Sequence, residues 1–113
     1  MAYSKKNQFT TKDARLSEYA GALGHPARIA ILKILSQCNT CVCGDLVEKM
    51  PLAQSTVSQH LRVLRDVGLI TGEIEGPRCN YCLDPKALIE FTTLMDQLLS
   101  ELRRQTKKDK CCP

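Results

Sequence analysis

Two cysteines separated by one residue, Cys41-Val42-Cys43, are the side chains of this sequence best suited to binding chemistry. In an extended segment, residues i and i+2 face the same side, so both sulfurs can bind one ion. In a regular helix they would point about 200° apart, so either the segment is non-helical, as Gly44 indicates, or binding unwinds it. A position at a helix start lowers the pKa of a thiol. Thiolate ligands suit arsenite, antimonite, cadmium or zinc.

The vicinal cysteines Cys111-Cys112 near the C-terminus can donate a further ligand to such a site. They would do so across a dimer if two copies of the chain associate. The alternative for Cys41 and Cys43 is that they are small buried apolar residues, a common role for free cysteine.

Two Cys-x-x-Cys patterns, at 38–41 and 79–82, allow two further interpretations. A structural zinc site would unite them, but their separation exceeds that of a zinc ribbon, and strand positions i and i+3 face opposite sides. A thiol oxidoreductase would need a pair that precedes a helix in a strand–helix unit, and neither does. We therefore predict that the chain is not an enzyme.

The composition is that of one small domain. With 113 residues, 43% of them apolar, the core is small enough for a subunit partner to help. The net charge of +4 is by itself weak evidence for nucleic-acid binding. No secretory segment or apolar run of membrane length is present, so we predict a cytoplasmic protein with no membrane partner. Its seven cysteines are then expected to be reduced thiols.

Apolar spacing predicts a mainly α-helical fold with a small β-hairpin. The last helix is about 20 residues long and carries an apolar stripe that is too long for so small a core to cover. This favours a dimer interface formed by the last helix together with the first helix. The predicted segments are a disordered arm at 1–11, a folded domain at 12–106 and a flexible basic tail at 107–113. Within the domain we expect helices at 12–23, 26–37, 44–50 and 54–67, strands at 69–74 and 78–83, and the last helix from 84.

The predicted helix at 54–67 is apolar on one face and polar on the other. Such a helix can be anchored in the core while its short polar side chains contact DNA. Glutamine can pair with adenine, serine and threonine can donate or accept hydrogen bonds, and arginine can bind guanine or phosphate. The hairpin tip would form a wing that contacts the minor groove or a phosphate. The candidate DNA-binding residues are Gln54, Ser55, Thr56, Ser58, Gln59, His60 and Arg62 on the helix and Arg78 on the wing.

The order of these elements resembles the ArsR/SmtB family of metalloregulators. This resemblance implies a winged helix-turn-helix protein that dimerises through its first and last helices. It further implies a homodimeric repressor that binds double-stranded operator DNA and releases it when a metal, metalloid or redox agent reaches its cysteines. The matching stretches are Leu23-Gly24-His25-Pro26-Ala27-Arg28-Ile29-Ala30-Ile31-Leu32, Cys41-Val42-Cys43-Gly44-Asp45-Leu46, Gln54-Ser55-Thr56-Val57-Ser58-Gln59-His60-Leu61 and Gly68-Leu69-Ile70.

The resemblance also implies the inducer. Arsenite-responsive members carry Cys-Val-Cys at the position of Cys41 and Cys43, with a third cysteine later in that helix. Here that position holds Val47 or Glu48, so Cys38, or else the C-terminal pair, would supply the third thiolate. Zinc-sensing members use histidine on the last helix, and this sequence has none after His60. We predict arsenite or antimonite as inducer; a redox-responsive or cadmium/zinc-responsive repressor of the same fold is the alternative.

Overall fold

The computed structural model describes residues 8–37, 49–72 and 81–108, without the side chains of residues 107 and 108. Four helices and one two-stranded antiparallel sheet make up the described part, which confirms the predicted mainly helical winged fold. In chain order the elements are α1 (Thr11–Ala22), α2 (Pro26–Ser36), α3 (Gln54–Asp66), β1 (Ile70–Gly72), β2 (Tyr81–Leu83) and α4 (Pro85–Lys108).

Local capping explains where α1 and α2 begin and where α3 ends. The Thr10 hydroxyl accepts a hydrogen bond from the Asp13 N–H at 3.0 Å, which starts α1. At the start of α2, His25 is the N-cap and Pro26 is the first residue, the position at which the sequence predicted a helix to begin. After α3, Gly68 adopts a φ of 91°, a left-handed conformation that glycine tolerates best.

A single apolar core lies between the helices and the hairpin. α2 packs against α3 and β2, while α1 packs against α4. Tyr19, Ile31 and Leu61 are fully buried in this core. The hairpin pairs Ile70 with Leu83. Because α3 contacts both α2 and β1, the core fixes the direction in which its outer face points.

A polar cluster joins α1 to α4 at the edge of the core. The Arg15 Nε donates to the Glu90 carboxylate at 3.1 Å, and its Nη2 donates to the Tyr19 hydroxyl at 2.8 Å. The Tyr19 hydroxyl in turn donates to the same Glu90 oxygen. The ring of Phe91 stacks on that of Tyr19 with centroids 5.2 Å apart. The hydrogen bond from Tyr19, followed by that from Arg15, lowers the pKa of Glu90.

This cluster predicts a specific acid sensitivity. The pKa of Glu90 in the folded chain lies below its ordinary value of 4.5. The ionised Glu90 therefore stabilises the folded chain fully above pH 4.5, and this stabilisation is lost as the pH falls through the lowered pKa. We expect wild type to lose more free energy of unfolding than Glu90→Gln between about pH 6 and about pH 3. Urea midpoints at both pH values measure this. The exposed Asp96→Asn on the same helix is the control, and equal acid losses in wild type and Glu90→Gln would contradict the prediction.

No helix in the described ranges is both long and apolar enough to cross a membrane.

Candidate nucleic-acid interface

α3 is anchored in the core by one face. Its apolar side chains Val57, Leu61 and Leu64 are each 0% exposed. They recur at helical spacing and therefore lie on one face, which fixes the orientation of the helix about its own axis. The polar face is thereby fixed outward, as a helix that contacts DNA requires.

The outer face carries the candidate DNA-binding side chains near the start of α3. Gln54, Ser55 and Gln59 are exposed, while Thr56 and Ser58 are half-buried. The N-cap, Ala53, makes no side-chain hydrogen bond to the first turn. The first backbone N–H groups of a helix have no partner within the helix, and with the helix dipole they favour an anion such as a phosphate.

His60 and Arg62 lie farther along α3 and are half-buried. The Nδ1 of His60 accepts a hydrogen bond from the Nε of Arg28 at 3.2 Å, and its ring centroid lies 4.4 Å from that of His25. Burial, and to a lesser extent the nearby His25 and Arg28, lowers the pKa of His60. His60 is therefore neutral at physiological pH and is engaged with α2 through one ring nitrogen.

Sequence reasoning missed Arg28. It stands in the stretch that resembles the ArsR/SmtB family, but its contact with His60 spans 32 positions along the chain. Nothing in local spacing predicts that contact, because it depends on how α2 packs against α3.

The other predicted site residues have no described position. The wing residue Arg78 and the candidate ligands Cys38, Cys41, Cys43, Cys111 and Cys112 lie outside the described residues. Within the described ranges, no group of three or more His, Cys, Asp or Glu side chains is placed to hold a metal ion.

Cys82 on β2 departs from the expectation of reduced thiols. It is half-buried and disulfide-bonded. The other six of the seven cysteines lie outside the described residues.

Comparison with known proteins identifies the family. The model for bacterial regulatory proteins of the arsR family matches residues 25–71, which contain α2 and α3. The arsenical resistance operon repressor of Bacillus subtilis (strain 168) is 35% identical over 106 residues, covering 90% of this chain and 97% of that repressor. The chain belongs to the ArsR family.

Other relatives agree with this assignment. The ArsR-family chain is 41% identical over 66 residues to the transcriptional repressor SmtB of Mycobacterium tuberculosis (strain H37Rv), covering 58% of this chain and about half, 48%, of that repressor. An ArsR-like transcriptional regulator from Rhodococcus sp. RHA1 has the same fold, with a TM-score of 0.71 at 20% identity over 88% of this chain and 92% of the other. The ArsR-family chain is thus a transcriptional regulator with a DNA-binding helix-turn-helix and not an enzyme, as predicted.

Proposed function

We propose that this ArsR-family chain is a metalloid-responsive repressor that binds operator DNA as a homodimer and is released when cysteine thiolates bind arsenite or antimonite. The observation that carries the DNA-binding part is the two-faced α3, with a fully buried apolar side and exposed polar residues at its start. Base edges would be contacted by the polar residues at the start of the helix, Gln54, Ser55, Thr56, Ser58 and Gln59, and the DNA backbone by His60 and Arg62. Arg78 would contact the DNA from the wing.

The apolar surface of α4 supports the dimer. Leu88, Phe91 and Leu94 pack against the core, but beyond them Leu98 and Leu102 are 37% and 51% exposed. At a rise of 1.5 Å per residue, the 24 residues of α4 extend about 36 Å. The end of the helix therefore passes the core and leaves its apolar side chains for a second copy to cover.

The inducer part rests on the sequence and on a relative. Cys41 and Cys43 would supply two thiolates, with Cys38, Cys111 or Cys112 as the third. The Bacillus subtilis relative is named as an arsenical resistance repressor. Residues 44–53 connect the cysteine pair to α3, so a change of backbone at the pair can shift the recognition helix and weaken operator binding.

The experiment begins with a duplex that the wild-type protein enriches from a random-sequence pool. Fluorescence anisotropy then follows the complex while arsenite, antimonite, cadmium or zinc is added. We expect arsenite and antimonite to release the duplex at concentrations where cadmium and zinc do not. Failure to enrich any duplex would overturn the proposal, whereas release by cadmium or zinc alone would replace the inducer.

A substitution on α3 tests how bases are recognised. Gln59→Ala should weaken binding to the enriched duplex about tenfold and relax the base preference at one position, because a bidentate glutamine–adenine pair contributes about 1–3 kcal/mol of discrimination. The salt dependence should stay unchanged because glutamine is neutral. Gln97→Ala, the same change at an exposed position of α4, is the control. Equal affinities of wild type and Gln59→Ala for all single-base variants of the duplex would contradict this assignment.

A redox-responsive repressor is the second candidate, and the disulfide at Cys82 favours it. An oxidant such as a peroxide would accept two electrons from two thiols, which lose two protons as the sulfur–sulfur bond forms. Mass spectrometry of peptides after mild oxidation would detect the loss of two hydrogens. For this candidate the loss must accompany weaker duplex binding and must disappear in Cys82→Ser.

A further inference from the structure

One arginine lies where three helices meet. Arg28 belongs to the first turn of α2, and its Nη1 lies 3.4 Å from the carbonyl oxygens of both Gly21 and Ala22 in the last turn of α1. Its Nε donates to the Nδ1 of His60 on α3 at 3.2 Å. We call these residues, together with His25, the helix junction.

The helix junction supplies hydrogen-bond donors and positive charge to the end of α1. The last carbonyl groups of a helix lack partners within the helix and carry partial negative charge. The last turn of α1 contains no basic residue of its own. Arg28 supplies the cation from the neighbouring helix, so the same guanidinium that stabilises the end of α1 also contacts α3.

His25 fixes the other side of the junction. Its Nδ1 accepts a hydrogen bond from the Ala27 N–H at 3.0 Å, which holds the ring over the start of α2. Its ring lies against that of His60 at an interplanar angle of 47°. Because Nδ1 is an acceptor in both rings, each neutral ring carries its hydrogen on Nε2.

Protonation of His60 is incompatible with this arrangement. The charged imidazole carries hydrogen on both nitrogens, so Nδ1 can no longer accept from Arg28. The titratable and charged groups that act on His60 within the described residues are His25 and Arg28, and α1 faces the junction with the carbonyl groups of Gly21 and Ala22. A proton on His60 would therefore place a cation beside Arg28 with no carboxylate among these groups to offset it.

We propose that Arg28 is a positioning residue for DNA binding, and that its hydrogen bond to neutral His60 sets the orientation of α3 relative to α1. This role rests on the proposed function, because orientation matters only if α3 enters a DNA groove. Since α1 packs against α4, the junction also connects the recognition helix to the helix that carries the exposed apolar surface. The two recognition helices of a dimer must match half-sites about 34–36 Å apart, so a small rotation of α3 weakens both contacts.

The pH dependence of binding separates positioning from a direct phosphate contact. Arginine keeps its charge at every accessible pH, so a lost phosphate contact would weaken binding equally at all pH values. A positioning role requires neutral His60. The contribution of the Arg28–His60 hydrogen bond to DNA binding is therefore complete above the ordinary histidine pKa of 6.5. It disappears as the pH falls through the lowered pKa of His60.

The test compares wild type with Arg28→Met on the enriched duplex, by anisotropy, from about pH 8 to about pH 4.5. We expect Arg28→Met to bind about tenfold more weakly at the upper end, the effect of one hydrogen bond to a charged group, and this difference to narrow as the pH falls through the titration midpoint of His60. Lys33→Met removes the same charge from an exposed position of α2 and should show a small, pH-independent loss. A pH-independent loss in Arg28→Met overturns the proposal.

A second measurement needs no variant. Nitrogen-15 spectra of the wild-type imidazoles should show His60 with its hydrogen on Nε2 and a titration midpoint below that of a free histidine. A hydrogen on Nδ1 at neutral pH would overturn the proposal even if Arg28→Met fails to fold. If wild type enriches no duplex, the proposed function fails and the positioning role fails with it. If a duplex is enriched and the Arg28→Met loss is independent of pH, only the positioning role fails.

Discussion

A Leu98→Glu, Leu102→Glu variant is expected to be monomeric and to bind the enriched duplex on the order of 100-fold more weakly than wild type. Two binding units held in one assembly gain about 10²–10⁴ in avidity over either unit alone, and a monomer forfeits that gain. Leu98 and Leu102 are exposed, so their replacement leaves the core of the monomer intact. Glutamate at both positions would place carboxylates in an apolar contact, where each would lose its hydration.

Sedimentation and anisotropy together test this expectation. The matched control is Thr93→Glu, Ser100→Glu, which adds the same charge to exposed positions on the opposite face of α4. The control should remain dimeric and lose only the small affinity due to its added negative charge. A Leu98→Glu, Leu102→Glu protein that sediments as a dimer would show that the dimer contact lies elsewhere.

Replacement of either Cys41 or Cys43 should abolish the response to arsenite while leaving DNA binding intact. With Cys41→Ser or Cys43→Ser, we expect the enriched duplex to bind as in wild type, because neither residue belongs to the polar face of α3. Arsenite, which should weaken wild-type binding by about 5- to 150-fold, should then have no effect. The physical reason is that a serine hydroxyl is a hard, protonated oxygen and does not replace a soft thiolate.

Cys82→Ser is the control that separates the two proposed triggers. Cys82 lies on β2, outside the proposed ligand set, so a metalloid-responsive repressor should keep its arsenite release when Cys82 is replaced. A redox-responsive repressor should instead lose its response to peroxide.

A Cys41→Ser protein that still releases the duplex in arsenite would remove Cys41 from the ligand set. Cys38→Ser and the double replacement of Cys111 and Cys112 would then identify the third thiolate.

Local sequence determined the helices that have strong start and stop residues. The helices predicted at 26–37 and 54–67 agree with α2 and α3 to within one residue at each end. Pro26 at the first position of α2 and Gly68 after α3 explain this agreement, because capping and left-handed backbone are properties of a few neighbouring residues. The two faces of α3 followed from periodicity alone, since Val57, Leu61 and Leu64 recur at helical spacing and are all buried. The family also followed from short stretches in their order along the chain.

Only the tertiary structure decided which side chains meet across the chain. Arg15 contacts Glu90 over 75 positions, and Arg28 contacts His60 over 32. No periodicity encodes such pairs, because they arise when separate helices pack their apolar faces and bring polar residues at the edges within hydrogen-bond distance. The sequence thus determined that α3 has a polar face suited to DNA. Packing decided that one residue of that helix, His60, is held by α2 through Arg28, and the proposed positioning role rests on this contact.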